Sequence, residues 1–248
     1  MGSWAAARRV VDAHGTDDDN VVLLFADVRM EDEDLYRFLD DAATDLGVEV
    51  TRIADGRTPW EVFRDVRMIG NTRMDPCSRI LKRELLRRWI EEHYEPKDTV
   101  IYLGIDWTEQ HRFERAQPRW TPWMLAAPLC DAPYLSKEDI LADLQHRGIE
   151  PPLLYKLGFP HNNCGGFCIK AGQAHFKLLY EKLPERFMAH ANSEAEMREY
   201  LGKDVAILRD RRGGTTKPLP LLELKRRIDC GEDGTDPLDV GGCGCAID

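Results

Sequence analysis

The run VVLLFA at residues 21–26 decides the fold class, because it is a short, continuous apolar stretch rich in Val and Leu. Such a run is typical of a strand buried on both faces, as in a parallel sheet. VEVTRI at 48–53 and TVIYLGI at 99–105 predict two further strands. Between the first two, the apolar residues of 32–46 repeat at helical spacing. The sequence therefore predicts an α/β fold with a doubly wound, mostly parallel sheet and helices on both faces.

Further helices are expected over residues 4–13, 78–93, 136–147 and about 171–183. Ser3 and Ser136 precede two of these helices and are expected to cap their first turns. The stretch 106–135 contains three Trp and four Pro, which favours an irregular, site-forming segment. We divide the chain into an α/β domain over 1–200 and a turn-rich C-terminal extension over 201–248.

The composition excludes several classes of protein. With 43% hydrophobic and 31% charged residues, the 248-residue chain is typical of a globular protein. No stretch approaches the roughly 18 apolar residues that a membrane helix requires, and the first residues lack the apolar core of a signal peptide. We therefore expect a cytoplasmic protein with no membrane partner. The net charge of −10 disfavours broad, non-specific binding to nucleic acid.

The chain opens on a helix, with no strand before it. In a doubly wound sheet the first strand is usually central, and its absence would leave neighbouring strand edges unpaired. The sequence therefore predicts that residues precede Met1 in the natural protein. Gly2 and Ser3 form a small turn directly before the helix, as at the end of a phosphate-binding loop, where backbone N–H groups bind an anion. The alternative for Ser3 is a plain helix cap.

Candidate ligand-binding residues follow two of the predicted strands. Asp27 ends the first run, at the strand end where ligands bind in such sheets, and can contact a ribose or an amine. The alternative is a turn-capping aspartate. Gly104 permits a ligand to approach the end of another strand. Glu109 and Arg112 follow it at i, i+3 spacing, and they either pair with each other or bind a nucleotide or an anionic substrate.

Seven cysteines in a chain without secretory features favour metal, cluster or redox roles over disulfides. Cys77 lies just before a predicted helix, with Arg79, Lys82 and Arg83 close behind it. The helix dipole and the positive charges favour the thiolate, the form that binds metal or attacks sulfur. The alternative is a buried structural cysteine beside a solvated basic helix face.

Cys164 and Cys168 flank a Gly-Gly turn that can present two sulfurs to one metal centre. With Cys77 they make three sulfur ligands, and the fourth could be Cys130, a tail cysteine or a non-protein species. The GGCGC tail, with its thiols at 243 and 245, has three open interpretations: a redox relay, a ligand pair or no role.

Several short segments occur in an order and spacing that match one known family over about residues 1–190. They are the Ser3 helix, FAD at 25–27, CSRILK at 77–82, GIxxxExxR at 104–112, LLYKLGF at 153–159 and the C-x3-C at 164–168. In this order they resemble the phosphoadenosine phosphosulfate reductase family, within the adenine nucleotide alpha-hydrolase superfamily of PP-loop ATP pyrophosphatases. Met1, Gly2 and Ser3 look like the last three positions of its Ser-Gly-Gly-x-x-Ser loop. The resemblance implies that the first half of that loop lies before Met1.

The resemblance implies an enzyme that uses ATP or a sulfonucleotide for sulfur transfer or for adenylation of its substrate. It is similar in this respect to nucleic-acid thiolation sulfurtransferases. The phosphates would lie on Gly2 and Ser3, with Asp27 and Gly104 near the nucleoside and Glu109 among the nucleotide contacts. The implied partners are a small-molecule nucleotide, a nucleic-acid acceptor and a cysteine desulfurase.

The resemblance also implies a set of reacting residues. Lys82 and Arg112 would neutralise charge at the reacting centre, and Cys77 would be the third catalytic residue. Some relatives hold a [4Fe–4S] cluster by three cysteines, and Cys77, Cys164 and Cys168 are similar in number and order to such a set. Zinc is the alternative metal.

Two other interpretations stay open. Sulfonucleotide reductases carry a catalytic cysteine near the C-terminus, so Cys243 or Cys245 would be the nucleophile of such an enzyme. One branch of reductases also binds a cluster through adjacent cysteines, whereas this chain has a single cysteine at 77 and a C-x3-C. The remaining interpretation is a catalytically impaired homologue in which the same cysteines bind zinc.

Overall fold

The computed structural model describes residues 1–16, 20–232 and 234–242. Its strands are β1 (Leu23–Asp27), β2 (Val50–Ala54), β3 (Val100–Tyr102), β4 (Met124–Ala126), β5 (Leu208–Asp210) and β6 (Lys217–Leu219). Its helices are α1 (Gly2–His14), α2 (Glu33–Leu46), α3 (Pro59–Asp65), α4 (Pro76–Ser78), α5 (Leu85–His93), α6 (Gln110–Ala116), α7 (Lys137–His146), α8 (Leu153–Lys156), α9 (Gln173–Lys182), α10 (Pro184–Leu201) and α11 (Leu221–Asp229). A π-helix, Arg79–Glu84, joins α4 to α5.

The described strands form three separate two-stranded sheets. β1 runs parallel to β2 with Leu23 opposite Val50, β3 runs parallel to β4, and β5 is antiparallel to β6. The α/β class with parallel pairing is as predicted. The single doubly wound sheet is not confirmed, because no ladder joins β1–β2 to β3–β4 within the described residues. Apolar runs identify strands but do not say which edges pair. Leu24 of β1 and Ile101 of β3 nevertheless pack on one apolar cluster around Trp120.

The start of α1 differs from the prediction. Met1 takes the N-cap position without a side-chain cap, and Ser3 lies inside the helix. The expectation that Ser3 caps this helix is wrong, because Gly2 is already helical and a capping hydroxyl must stand outside the first turn. Trp4 is buried on the inner face, where its Nε1 donates a hydrogen bond to Asp45 Oδ2 at 3.1 Å.

The helix predicted over 78–93 is interrupted. It begins at Pro76, widens into the π-helix Arg79–Glu84 and returns to α geometry in α5. π-Helical turns are rare and often lie at functional sites. The cap predicted at Ser136 is confirmed: its hydroxyl accepts from the backbone of Asp139, whose carboxylate accepts in return from the backbone N–H of Ser136.

The longest described helix, α10, was not predicted. Its buried Glu194 accepts hydrogen bonds from the backbone N–H groups of Ile207 at 2.9 Å and Leu221 at 2.6 Å. Burial raises the pKa of Glu194, although these two hydrogen bonds oppose the shift. The C-terminal extension over 201–248, expected to be rich in turns, also contains the regular helix α11. Leu221 and Leu224 of α11 pack in the same core cluster as Phe187 of α10.

Candidate cysteine and nucleotide sites

One pocket contains all three cysteines that the sequence suggests as metal ligands. Its walls are Val28, Pro59, Cys77, Ser78, Lys82, Cys164, Phe167, Cys168 and Ile169. Cys164 and Cys168 are buried, and Cys77 is partly exposed. The fold therefore brings together two segments that lie far apart in the chain. It also places Lys82, expected to be catalytic, in the same pocket.

The loop that carries Cys164 has an unusual backbone. Cys164, Gly165 and Gly166 all have positive φ, at 50°, 59° and 86°. Left-handed backbone strains a residue with a side chain by roughly 1–3 kcal/mol, and such strain persists where the surroundings hold it. A Cβ on Gly165 would lie 3.0 Å from the carbonyl oxygen of Met30. Gly165 is therefore required for this loop to approach the segment after β1.

Glu31 connects the two halves of the pocket. Its Oε2 accepts a hydrogen bond from the backbone N–H of Cys164 at 2.6 Å, and its Oε1 lies 3.4 Å from Lys82 Nζ. The Glu31 side chain is 2% exposed and that of Lys82 is 12% exposed. A buried carboxylate is tolerated only with such partners. Sequence reasoning missed Glu31, and its only signal was its position in the loop after a strand.

Two further ionic contacts hold the cysteine segments. Asp75, two residues before Cys77, binds Arg83 through both oxygens at 2.9 and 3.0 Å and Lys170 at 3.0 Å. Burial acts to raise the pKa of Asp75, but the hydrogen bonds from Arg83 and Lys170 outweigh it and hold the pKa below its ordinary value. Lys170 follows Cys168 by two residues, so Asp75 joins the segment of Cys77 to that of Cys168.

The other contact involves the loop glycines. Arg186 Nη1 of α10 donates to Asp32 Oδ2 at 2.8 Å and to the carbonyl of Gly165 at 2.6 Å. Asp32 caps α2 and is almost fully buried. The left-handed loop is thus held from both sides, by Glu31 and by Arg186, and neither residue belonged to a recognisable motif.

The other cysteines lie in different places. Cys130 packs in the cluster around Trp120 and donates to the carbonyl of Ile105 at 3.6 Å. Burial, followed by nearby acidic groups, raises the pKa of the Cys130 thiol. Cys230 is exposed at the end of α11. The predicted tail thiols at 243 and 245 lie outside the described residues.

The three thiols share a pocket without forming a finished metal centre. Across residues 1–16, 20–232 and 234–242, no group of three or more His, Cys, Asp or Glu side chains is placed to hold a metal ion. Thiolates are the ligands that iron–sulfur clusters and structural zinc prefer. The donor chemistry of these three thiols therefore suits either group, although the structure does not place them as a ligand set.

The predicted phosphate residues Gly2 and Ser3 contact Gly104, which follows β3. A Cβ on Gly104 would lie 2.7 Å from Ser3 Cα, and one on Gly2 would lie 3.2 Å from the carbonyl oxygen of Gly104. The backbone at both glycines is therefore in close contact. The amino group of Met1 is buried here, and desolvation lowers its pKa to about 5. The structure therefore places Gly2, Ser3 and Gly104 next to one another.

The carboxylate of Asp27 is hydrogen-bonded to neighbouring residues. Its carboxylate accepts from the hydroxyl of Tyr36 at 3.0 Å and from the backbone N–H of Arg29 at 2.7 Å. Burial and this hydrogen bond raise the pKa of Tyr36 to about 12. These hydrogen bonds agree with the alternative in which Asp27 caps a turn. A contact between Asp27 and a nucleotide stays a prediction.

Glu109 and Arg112 form a pair. Arg112 Nη1 donates to Glu109 Oε1 at 2.5 Å, which is the pairing alternative for these two residues. Neither of them lines the cysteine pocket. The structure therefore does not place Arg112 beside Cys77, and its role toward a nucleotide stays a prediction.

Comparison with known proteins adds no relative. No family model, no curated protein and no solved structure matches the chain. The family resemblance therefore stays a prediction. Within the described residues, every helix is too short or too polar to cross a bilayer.

Proposed function

We propose that the chain is an adenine-nucleotide-dependent enzyme of sulfur transfer, which activates an acceptor with the nucleotide and delivers sulfur from its cysteine pocket. The observation that carries this proposal is the meeting of Cys77, Cys164 and Cys168 with Lys82 in one pocket. A buried ammonium favours thiolate over thiol in neighbouring cysteines, and thiolate is the reactive form.

The cofactor we assign to the pocket is a [4Fe–4S] cluster, with zinc as the alternative. Cys77, Cys164 and Cys168 would hold it, and a bound cluster would supply iron sites with affinity for sulfur. Lys82 would balance negative charge that develops at the reacting centre. Glu31 would keep the backbone of Cys164 and the ammonium of Lys82 in position.

The nucleotide, ATP or a sulfonucleotide, would bind beside the start of α1, where it contacts the residues that follow β3. The backbone of Gly2 and Ser3 lies at a helix N-terminus, which favours an anion. Gly104 allows the residues after β3 to lie against Ser3, and Asp27, Glu109 and Arg112 are further candidate contacts. The partners that the resemblance implies are a nucleic-acid acceptor and a cysteine desulfurase as sulfur donor.

The test begins with the full chain purified without oxygen. We expect a brown protein that contains iron and sulfide, and loss of both in the triple variant Cys77→Ser, Cys164→Ser, Cys168→Ser. Cys130→Ser is the matched control and should keep the cluster, because Cys130 lies in a different cluster of side chains. A colourless, metal-free protein whose three pocket thiols all react with an alkylating agent would contradict the proposal.

The nucleotide part needs its own measurement. We expect calorimetry to detect ATP binding that Gly104→Val removes, because a Cβ there collides with Ser3. Release of pyrophosphate in the presence of an acceptor would support activation by adenylation. Zinc content without any nucleotide turnover would instead favour the metal-binding homologue. A sulfonucleotide reductase would lose thiosulfonate formation when Cys243 and Cys245 are both replaced by Ser.

A further inference from the structure

One stretch of the chain, residues 57–88, carries the opposite charge to the rest. It contains nine Lys or Arg and four Asp or Glu, a net charge of +5 in a chain of −10, so the remaining residues total −15. This basic stretch includes four walls of the cysteine pocket, namely Pro59, Cys77, Ser78 and Lys82. A polyanion is therefore attracted to this part of the protein and repelled by the net charge of the remainder.

Two arginines of the basic stretch lie over one tyrosine. The guanidinium carbons of Arg64 and Arg67 lie 5.1 and 5.5 Å from the centre of the Tyr200 ring of α10, and all three residues are exposed. Asp65, which lies between the two arginines in sequence, binds Arg57 at 2.7 Å instead. Within the described part of the chain, neither arginine forms an ion pair with a carboxylate. The aromatic ring therefore positions two positive charges that an anion can bind.

Arg67 has a backbone conformation that glycine adopts more easily. It directly follows Val66, the C-cap of α3, and has a φ of 54°. Glycine is common at this position of a helix end, because a side chain there is strained. The arginine therefore costs stability here, and what it supplies is an exposed positive charge at Tyr200. Backbone strain of this kind is often found at functional sites.

Exposed arginines continue toward the pocket. The loop after α3 packs closely at Gly70, where a Cβ would lie 2.5 Å from Cδ1 of the pocket residue Ile169. Arg73 follows on this loop and is exposed. Arg29 directly follows the pocket residue Val28, and it is also exposed, with a φ of 57°. Two segments that form the pocket thus each place an exposed arginine next to it in sequence.

We propose that these exposed arginines bind the phosphate backbone of a nucleic-acid strand beside the cysteine pocket. They are Arg29, Arg64, Arg67 and Arg73. The basic stretch, all of it described, has Met74 as its one exposed large hydrophobic side chain. A protein partner or a membrane would need more apolar contact, whereas nucleic acid is bound mainly through its phosphates. The inference rests on the proposed function, for which it names the surface that binds a nucleic-acid acceptor.

The test measures binding of the full chain, without metal or nucleotide, to fluorescein-labelled oligo(dT) and oligo(rU) strands of 20 nucleotides by fluorescence anisotropy. We expect the double variant Arg64→Gln, Arg67→Gln to raise Kd about tenfold or more at low salt, because two charge-assisted contacts are lost. The slope of log affinity against log salt should fall by about 1.4, at about 0.7 for each phosphate of a single strand.

The matched control is the double variant Arg115→Gln, Arg211→Gln. It removes the same charge from two exposed arginines that lie outside the basic stretch. We expect it to change Kd by less than about twofold, because only the net charge of the chain differs. Equal weakening in the two double variants would show that binding follows net charge alone, and the surface would be disproved.

A single substitution separates binding from stability. Arg67→Gly removes the guanidinium and suits a positive φ. We expect weaker strand binding together with a thermal unfolding midpoint equal to or above that of wild type. If Arg67 instead serves only to hold Tyr200 and α10, the midpoint will fall and the strand affinity will stay the same.

The remaining outcomes decide the class of partner. If neither strand binds, the surface is disproved, whereas the metal and ATP tests of the proposed function keep their own outcomes. If poly-glutamate of equal charge competes as well as unlabelled strand, the partner is an acidic protein and the assignment to nucleic acid is wrong. Binding to phosphatidylserine vesicles without binding to either strand would assign the surface to a membrane instead. Strand binding that only the Arg64 and Arg67 variants lose, in a chain that takes up no metal, would support this surface while contradicting the metal part of the proposed function.

Discussion

The cysteine pocket and the candidate nucleotide residues differ in the range of their charged contacts. In the pocket, Glu31 reaches Lys82 across 51 positions of sequence. Among the candidate nucleotide residues, Arg112 binds Glu109 three positions away. A short-range pair needs only its own helix, whereas a long-range pair forms only when the fold brings two segments to one place. A buried ion pair between distant segments is therefore a stronger indication of a functional site than a pair within one helix. Variants of the two pairs should differ in their effects on stability.

The largest effect is expected at Glu31. Glu31→Ala removes the acceptor of the Cys164 N–H and the carboxylate beside the buried Lys82. Loss of one member of a buried pair costs about 3 kcal/mol of unfolding free energy. Chemical denaturation measures this loss, and metal loading should fall with it because Cys164 moves.

The control for Glu31 is Glu49→Gln, an exposed carboxylate before β2 that should change stability by less than about 0.5 kcal/mol. Glu31→Gln separates the two contacts, since an amide oxygen can still accept from Cys164 but no longer balances Lys82. Equal stability of Glu31→Ala and wild type would show that the contact is not energetically important.

The next effect is expected in the glycine loop. Gly165→Ala places a Cβ 3.0 Å from the carbonyl of Met30 at a φ of 59°, so we expect a loss of about 2 kcal/mol from backbone strain and the close contact. Gly148→Ala is the matched control, with a φ of 71° and open space around its Cβ. It should lose about 1 kcal/mol from backbone strain alone. Equal losses in thermal or chemical unfolding would mean that the loop does not pack closely on the segment after β1.

The strands and one longer helix show what sequence periodicity can and cannot reveal. The apolar runs located β1 and β2 to within two residues, because buried parallel strands are continuously apolar. The helix α10 was not predicted, although its buried residues recur at helical spacing. Two of them are His190 and Glu194, and polar residues on a buried face conceal an amphipathic pattern.

The residues of the candidate site likewise fall into those that the sequence could reveal and those that it could not. Cys77, Cys164 and Cys168 could be chosen from residue chemistry and local spacing, and the resemblance implied that they act together. Glu31 and Arg186 could not be chosen, because a single carboxylate or guanidinium carries no local signal until the fold supplies its partner. Thr58 and Glu61 do carry a local signal, because together they form the capping box that marks the start of α3. The sequence analysis did not predict this helix.

A pH-dependent effect is expected from His190, which stacks on the pocket residue Phe167 at 3.8 Å and accepts from Trp60 Nε1. Desolvation, with a smaller contribution from Arg186, lowers the pKa of His190 from 6.5 to about 3. Below pH 6.5 the unfolded chain therefore takes up a proton that the folded chain does not. The contribution of His190 to the unfolding free energy therefore falls by about 1 kcal/mol as the pH is lowered from 6.5 to 5.5.

The measurement for His190 is the unfolding free energy across that pH range. His190→Gln keeps an acceptor for Trp60 and does not titrate, so its stability should fall less steeply than that of wild type. His146→Gln, on the exposed end of α7, should leave the slope unchanged. Parallel curves for His190→Gln and wild type would show that His190 is protonated in the folded protein.

The smallest effect on stability is expected at the short-range pair, and there the two interpretations of Arg112 can be separated. A double-mutant cycle of Glu109→Gln and Arg112→Gln should give a coupling of about 0.3 kcal/mol, since a partly exposed i, i+3 pair contributes little. If Arg112 binds a nucleotide phosphate, Arg112→Gln weakens ATP binding in calorimetry about tenfold or more, because a charge-assisted hydrogen bond is lost. Glu109→Gln then leaves that affinity equal or stronger, because it removes the competing carboxylate. Equal ATP affinity in wild type and both variants would mean that Arg112 serves only its own helix, and nucleotide binding would then depend on the backbone of Gly2 and Ser3 alone.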